Sequence, residues 1–199
     1  MLEGIVFGKR TVEVASAVLA SLVVLGGCGE TPPPPPGPTT APAGTTPLPH
    51  GTPSVAEPLD STAFYNESCL ALTPEQRTEL KLSEGRPEAR RPGAECTYAV
   101  EGSDGEHLVD IRFANTGLVK EYEANAAGAY ERWEPMEFDG YPAVVHDGEL
   151  RDCHAVVGLS DTTTVHIWYR DQLVRPEVDT CGPVTRIAPA VLATIRATQ

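Results

Sequence analysis

Apolar and polar positions divide the chain into three stretches of different character. From Val14 to Leu25 the residues VASAVLASLVVL give twelve uncharged positions in a row. Between residues 29 and 60 large apolar side chains almost vanish and proline dominates. Beyond residue 61 short periodic runs appear. Thr73-Pro74-Glu75-Gln76 has the form of a capping box with proline at the first helical position. It predicts a short helix through Leu80 and Leu82 that stops near Gly85. Cys96–Glu101 and His107–Phe113 read as strands joined by the turn Gly102-Ser103-Asp104-Gly105. In the second strand Val109, Ile111 and Phe113 share one face, with Asp110 and Arg112 on the other. Asn115 or Thr116 is placed to cap a second helix, LVKEYEANAAGAY, with Leu118, Tyr122, Ala126 and Tyr130 near one face. The runs WEPMEFDGYPAVV, RDCHAVVGLS and TTTVHIWYR are strand-like, separated by Asp147-Gly148 and Ser160-Asp161. From Pro183 onward, Val184, Ile187, Val191, Leu192 and Ile195 predict an amphipathic helix, which Pro189 should kink or break. The order is helix, two strands, helix, three or four strands, helix. It predicts a single α+β domain over residues 61–199, a mainly antiparallel sheet flanked by helices.

The uncharged run at the start, after Lys9 and Arg10, spans about 18 Å as a helix, too short for a hydrocarbon core of roughly 30 Å. It reads as a secretory signal peptide over residues 1–27. Leu25-Gly26-Gly27-Cys28 at its end resembles a bacterial lipobox, which makes Cys28 the lipidated residue and an acyl anchor the membrane partner. Residues 28–60 then form a Pro/Thr-rich tether, with 11 of the 19 prolines, expected to be disordered for want of buriable surface. The predicted location is the outer face of the cell membrane.

Composition narrows the function. A formal net charge of −13 excludes a protein that coats nucleic acid, because phosphate binding needs a basic footprint. Cys69, Cys96, Cys153 and Cys181 remain once Cys28 is set aside, and in an exported chain four cysteines predict two disulfides. Three connectivities are open; neighbour pairing would close loops of about 28 residues. Zinc would want CxxC or HxxxH pairs, and neither occurs.

The residues Cys69-Leu70-Ala71-Leu72-Thr73-Pro74-Glu75, Cys96-Thr97-Tyr98, Gly140-Tyr141-Pro142-Ala143, Cys153 and Asp179-Thr180-Cys181 before a closing helix carry a resemblance. Together they resemble the actinobacterial lipoproteins grouped as domain of unknown function 3558, across residues 65–199. Glu67-Ser68 replaces the Asp-Pro often found there, and Tyr98 replaces a frequent tryptophan. The resemblance implies a lipid-anchored envelope protein with two disulfides and implies no reaction. The element order is also similar to small Mog1/PsbP-like α+β modules.

Catalytic signatures are absent from the sequence: no GxSxG, SxxK, HExxH or Gly-rich phosphate loop occurs. His107, His146, His154 and His166 are the candidate bases, and each also suits a packed or surface position in a strand or turn. The acidic set Glu131, Glu134, Glu137 and Asp139 reads as the wet face of a strand, and no cofactor or metal is implied. Trp133, Tyr141, Trp168 and Tyr169 form the candidate ligand surface, since tyrosine and tryptophan bury area and keep a polar handle. Trp168 and Tyr169 must face opposite sides of their strand. The expected function is a non-catalytic binding or accessory module for an unknown envelope ligand or protein. The alternatives are an envelope hydrolase or transferase using His146 or His154, and a structural or regulatory partner of an envelope complex.

Overall fold

A computed structural model of the chain describes residues 47–89, 93–147, 152–173, 175 and 179–199. The predicted leader, Cys28 and most of the tether lie outside the described residues. The elements are α1 (Pro74–Leu80), β1 (Arg86–Ala89), β2 (Ala94–Ala99), β3 (His107–Ala114), α2 (Val119–Ala126), β4 (Trp133–Phe138), β5 (Tyr141–Asp147), β6 (Cys153–Gly158), β7 (Thr164–Asp171) and α3 (Cys181–Arg196). The seven strands form one sheet in the order β1-β2-β3-β7-β6-β5-β4, and every neighbouring pair is antiparallel. This is the expected α+β architecture.

Strand alternation sorts the two faces. Val109, Ile111 and Phe113 of β3, Val145 of β5, Ala155 and Val157 of β6, and Val165, Ile167 and Tyr169 of β7 are buried in the main core with Val184, Ile187, Val191, Leu192 and Ile195 of α3. Burying each large aliphatic side chain contributes about 1.5–3 kcal/mol. Pro189 costs α3 about 3 kcal/mol, so packing prevails and the helix runs unbroken from Cys181 to Arg196. It starts two residues before Pro183 because Asp179 accepts from the backbone N–H groups of Cys181 and Gly182, each at 3.0 Å.

Several boundaries depart from expectation. Residues that the tether reading made disordered are packed: Thr52, Val55 and Leu59 are buried. The Leu59 N–H donates to the Leu159 carbonyl at 2.8 Å, and the Val55 N–H donates to Asp161 at 2.9 Å. Two apolar residues and two long-range hydrogen bonds are enough to order a proline-rich stretch locally. The folded unit therefore includes part of residues 47–60.

The α1 capping box forms as predicted, but the helix ends at Leu80 because Lys81 turns left-handed at φ 56°. Leu82 then bridges to Val100. Strand β1 was not expected, since all four of its residues are exposed and show no alternation. Helix α2 begins at Val119 without a side-chain cap from Asn115 or Thr116. The Thr116 carbonyl is instead held by the Thr164 hydroxyl at 3.0 Å. Gly128, at φ 81°, ends α2 before Tyr130.

The disulfides join Cys69 to Cys96 and Cys153 to Cys181, the neighbour pairing among the three possibilities. The first ties a 3-10 turn (Ser68–Ala71) to β2, and the second ties β6 to the first residue of α3.

Candidate binding face

On the face of the sheet away from α3, register builds a row of rings. Trp133 stands opposite His146, His146 opposite His154, and His154 opposite Trp168. The row continues to Asp110 on β3 and Thr97 on β2. The His146 and His154 rings are 5.0 Å apart and 18° from parallel; His154 and Trp168 are 4.8 Å apart at 27°. These separations match the strand spacing of roughly 4.8 Å. Adjacent rings therefore use their faces on one another and turn edges outward. Tyr130 adds to the stack, 3.9 Å from His146 and 5.6 Å from Trp133, and Tyr122 of α2 meets Trp133 edge-on at 5.1 Å.

Charged groups fix both ends. Arg170 lies 4.9 Å over the Trp168 ring, a cation–π contact. Its Nε donates to the buried Asp110 at 2.5 Å, and the Thr97 hydroxyl donates to the other Asp110 oxygen at 2.6 Å. At the opposite end Glu121 of α2 accepts from the Tyr130 hydroxyl at 2.5 Å. The Glu121 carboxylate is 3.5 Å from His146 Nε2, within ion-pair range but without hydrogen-bond alignment. His146 Nδ1 is 2.9 Å from the Asp147 carbonyl. Both nitrogens of the buried His146 thus face acceptors.

The electrostatics follow from burial and neighbours. Burial raises the Glu121 carboxyl, but His146, Tyr130 and His166 outweigh it and hold the group down at about 2. Burial, reinforced by His146 and His166, lowers His154 to about 3 against the pull of Glu121. Burial lowers His166 to about 4, with Glu121 opposing and Arg112 and His146 adding. His154 and His166 are therefore neutral at neutral pH, and each offers one N–H and one lone pair. His166 Nε2 is already 3.0 Å from the Thr164 hydroxyl. The buried Trp168 N–H makes no aligned hydrogen bond among the described residues. The arrangement is a comb of donors and acceptors at ring edges, suited to holding a polar, extended ligand. Among the described residues no group of three or more His, Cys, Asp or Glu is placed to hold a metal.

The four residues of the expected ligand surface do not form one patch. Trp133 and Trp168 belong to the ring row, with two strands between them. Tyr141 and Tyr169 lie on the opposite face, in the core beneath α3. The Tyr141 hydroxyl donates to the Glu57 carbonyl at 3.0 Å, and Arg196 sits 5.0 Å over its ring. Period-two alternation separates Trp168 from Tyr169, as expected, and puts Tyr169 inside. His146 lies within β5 rather than at a turn, and opposite His154. Sequence reasoning missed Glu121 and Tyr130. The available signal is the place of His146 and His154 on consecutive strand-like runs, because antiparallel pairing of such runs sets residues of the two opposite each other.

No curated protein matches the chain. A family model described as protein of unknown function (DUF3558) matches residues 23–194, most of the length and all of the strands and disulfides described above, and the chain belongs to that family.

Proposed function

We propose that the protein is an exported lipoprotein, acylated on Cys28 and anchored to the outer face of the cell membrane. Its α+β domain serves as a non-catalytic binding or accessory module for an envelope ligand or protein. The anchor is supported by the Leu25-Gly26-Gly27-Cys28 sequence after an uncharged run, by the resemblance to actinobacterial lipoproteins, and by two disulfides that suit an oxidising compartment. The observation that carries the binding role is the ring row Trp133–His146–His154–Trp168. Beside a small apolar cluster of Leu118, Val144 and Val156, this face carries buried or half-buried imidazoles and indoles and an Arg170–Asp110 pair, polar groups that suit recognition.

The anchor is tested by feeding a clickable palmitate analogue to cells of an exporting bacterial host that produce the full chain. The wild type should take up label and sediment with membranes; Cys28→Ala should do neither. An unlabelled wild-type chain would end the lipoprotein reading. The binding role is tested by photo-crosslinking from Arg112 in intact cells, with His154→Ala/Trp168→Ala as comparison. Adducts that persist unchanged in the double variant would remove the ring row from the reading.

One observation favours a second reading. Tyr130, Glu121 and His146 are linked in a chain like that of a general base held by a carboxylate. Turnover of envelope esters or amides by the purified chain, abolished by His146→Gln, would establish a hydrolase or transferase instead.

A further inference from the structure

A second feature lies on the other face, beneath α3. A cleft of about 150 Å³ opens where the end of α1 and the β2–β3 connection meet α3. Leu80, Leu82, Val109 and Ile187 give it an apolar floor, and Lys81, Tyr169 and Arg186 complete the lining.

Three observations distinguish the cleft. Lys81 holds φ 56°, a region that residues other than glycine seldom occupy. The exposed Lys81 ammonium and Arg186 guanidinium make no hydrogen bond or ion pair with a described residue. Asp179, the acidic neighbour on this side, turns Oδ1 to the N–H groups of Cys181 and Gly182 and forms no ion pair with Arg186. The third observation concerns a proton. His107 Nε2 lies 2.6 Å from Arg175 Nη2, which can only donate, so Nε2 is the acceptor and Nδ1 carries the hydrogen. Nδ1 then donates to the Tyr169 hydroxyl at 2.9 Å. The phenol keeps its own hydrogen, and no described residue accepts it.

From these groups we infer that the cleft binds a small amphiphilic carboxylate. The floor takes a ring or short alkyl body, and Lys81, Arg186 and the Tyr169 hydroxyl take the carboxylate oxygens. A cavity of this volume accepts a body about the size of benzene. Two cations and a neutral donor match the acceptor-only carboxylate. The apolar floor gives no place to a fully hydrated anion such as phosphate. The site stands apart from the ring row and does not depend on the function proposed for it.

The test is a calorimetric titration of the full chain with benzoate, hexanoate, palmitate and the neutral isostere benzyl alcohol. Benzoate and hexanoate should bind saturably, about tenfold more tightly than benzyl alcohol. Arg186→Gln and Lys81→Gly alter exposed residues, and glycine suits the backbone at residue 81. Each should weaken carboxylate binding about tenfold and leave benzyl alcohol unchanged. Absence of saturable benzoate binding, parity with benzyl alcohol, or variants that bind like wild type would overturn the inference. Palmitate binding more tightly than hexanoate would also overturn it, by showing a site for a long acyl chain.

Discussion

His146 and His154 face each other across β5 and β6 with their rings 5.0 Å apart and nearly parallel. Burial disfavours a charge on the His154 ring, and the neighbouring His146 and His166 add to that. With His154 held at about 3 and His166 at about 4, both lie below the ordinary imidazole value of roughly 6.5. The unfolded chain therefore takes up protons first as pH falls. The stability these residues contribute is complete above about pH 6.5 and is lost as pH drops through their folded values. Glu121, held at about 2, adds a loss of the same sign below about pH 4.5. The urea midpoint should fall between pH 7 and pH 4 by an amount equivalent to a few kcal/mol, on the order given by linkage. His154→Phe keeps a ring in the stack and removes a titrating group, so its loss on acidification should be smaller. A midpoint that does not move over this range would contradict the burial argument.

Gly117 lies where the chain approaches the 160–163 turn most closely. A Cβ at this position would sit 1.9 Å from the Asp161 carbonyl oxygen, and backbone there cannot swing aside as a side chain could. Gly117→Ala should destabilise by about 3 kcal/mol, the upper part of the overpacking range. Gly105 is the control. It holds φ 81° with open space around it, so Gly105→Ala meets only the left-handed penalty of about 1–2 kcal/mol. Thermal melts of the two variants should rank in that order.

Most of the fold was readable because burial imposes a period. β3 and β7 bury one face in the main core, and their alternation is visible in HLVDIRF and TTTVHIWYR. β1 escaped because it buries nothing: Arg86 to Ala89 are all exposed, and Pro87 weakens the strand pattern further. The end of α1 escaped because a left-handed lysine leaves no signature; Leu82 continued the apolar rhythm while the backbone had already turned. The ring row was half readable. Its tryptophans and histidines each carry a sequence signal, but their assembly depends on a register across four strands. Glu121 and Tyr130 reach His146 through tertiary contacts at separations of 25 and 16 residues, which no local pattern encodes. Tyr169 carries the same contact-residue signal as Trp168, and alternation sends it to the core instead.

Gln76 joins two helices with one amide. Its Oε1 accepts from the Thr73 N–H and from the Thr194 hydroxyl, each at 2.8 Å. Its Nε2 donates to the Ala190 carbonyl at 2.8 Å. Loss of three bonds at roughly 1 kcal/mol each makes Gln76→Ala costlier, at about 2–3 kcal/mol, than an ordinary helix cap. Thr73→Ala removes only the hydroxyl that caps Gln76 N–H and should cost about 1 kcal/mol. Gln76→Glu sets an oxygen against the Ala190 carbonyl and should destabilise despite its similar shape. If Thr73→Ala proved the more damaging in chemical denaturation, the link from α1 to α3 would carry no weight.

The two disulfides enclose segments of nearly equal length, with sequence separations of 27 and 28. The chain-entropy account therefore assigns them similar contributions, about 3–4 kcal/mol each. Packing should make any difference between them, since Cys96 and Cys153 are both fully buried and Cys69 is not. Cys153→Ala/Cys181→Ala frees the start of α3, whose apolar face closes the main core. Cys69→Ala/Cys96→Ala frees a 3-10 turn that remains held by Ser68, whose hydroxyl donates to the Ala94 carbonyl at 2.8 Å. The α3 pair should thus be the more destabilising of the two double variants in urea denaturation at equal pH. A reductant should lower wild-type stability by at least the larger loss and leave a variant lacking all four cysteines unaffected. Equal midpoints for the two double variants would show that loop length alone decides the effect.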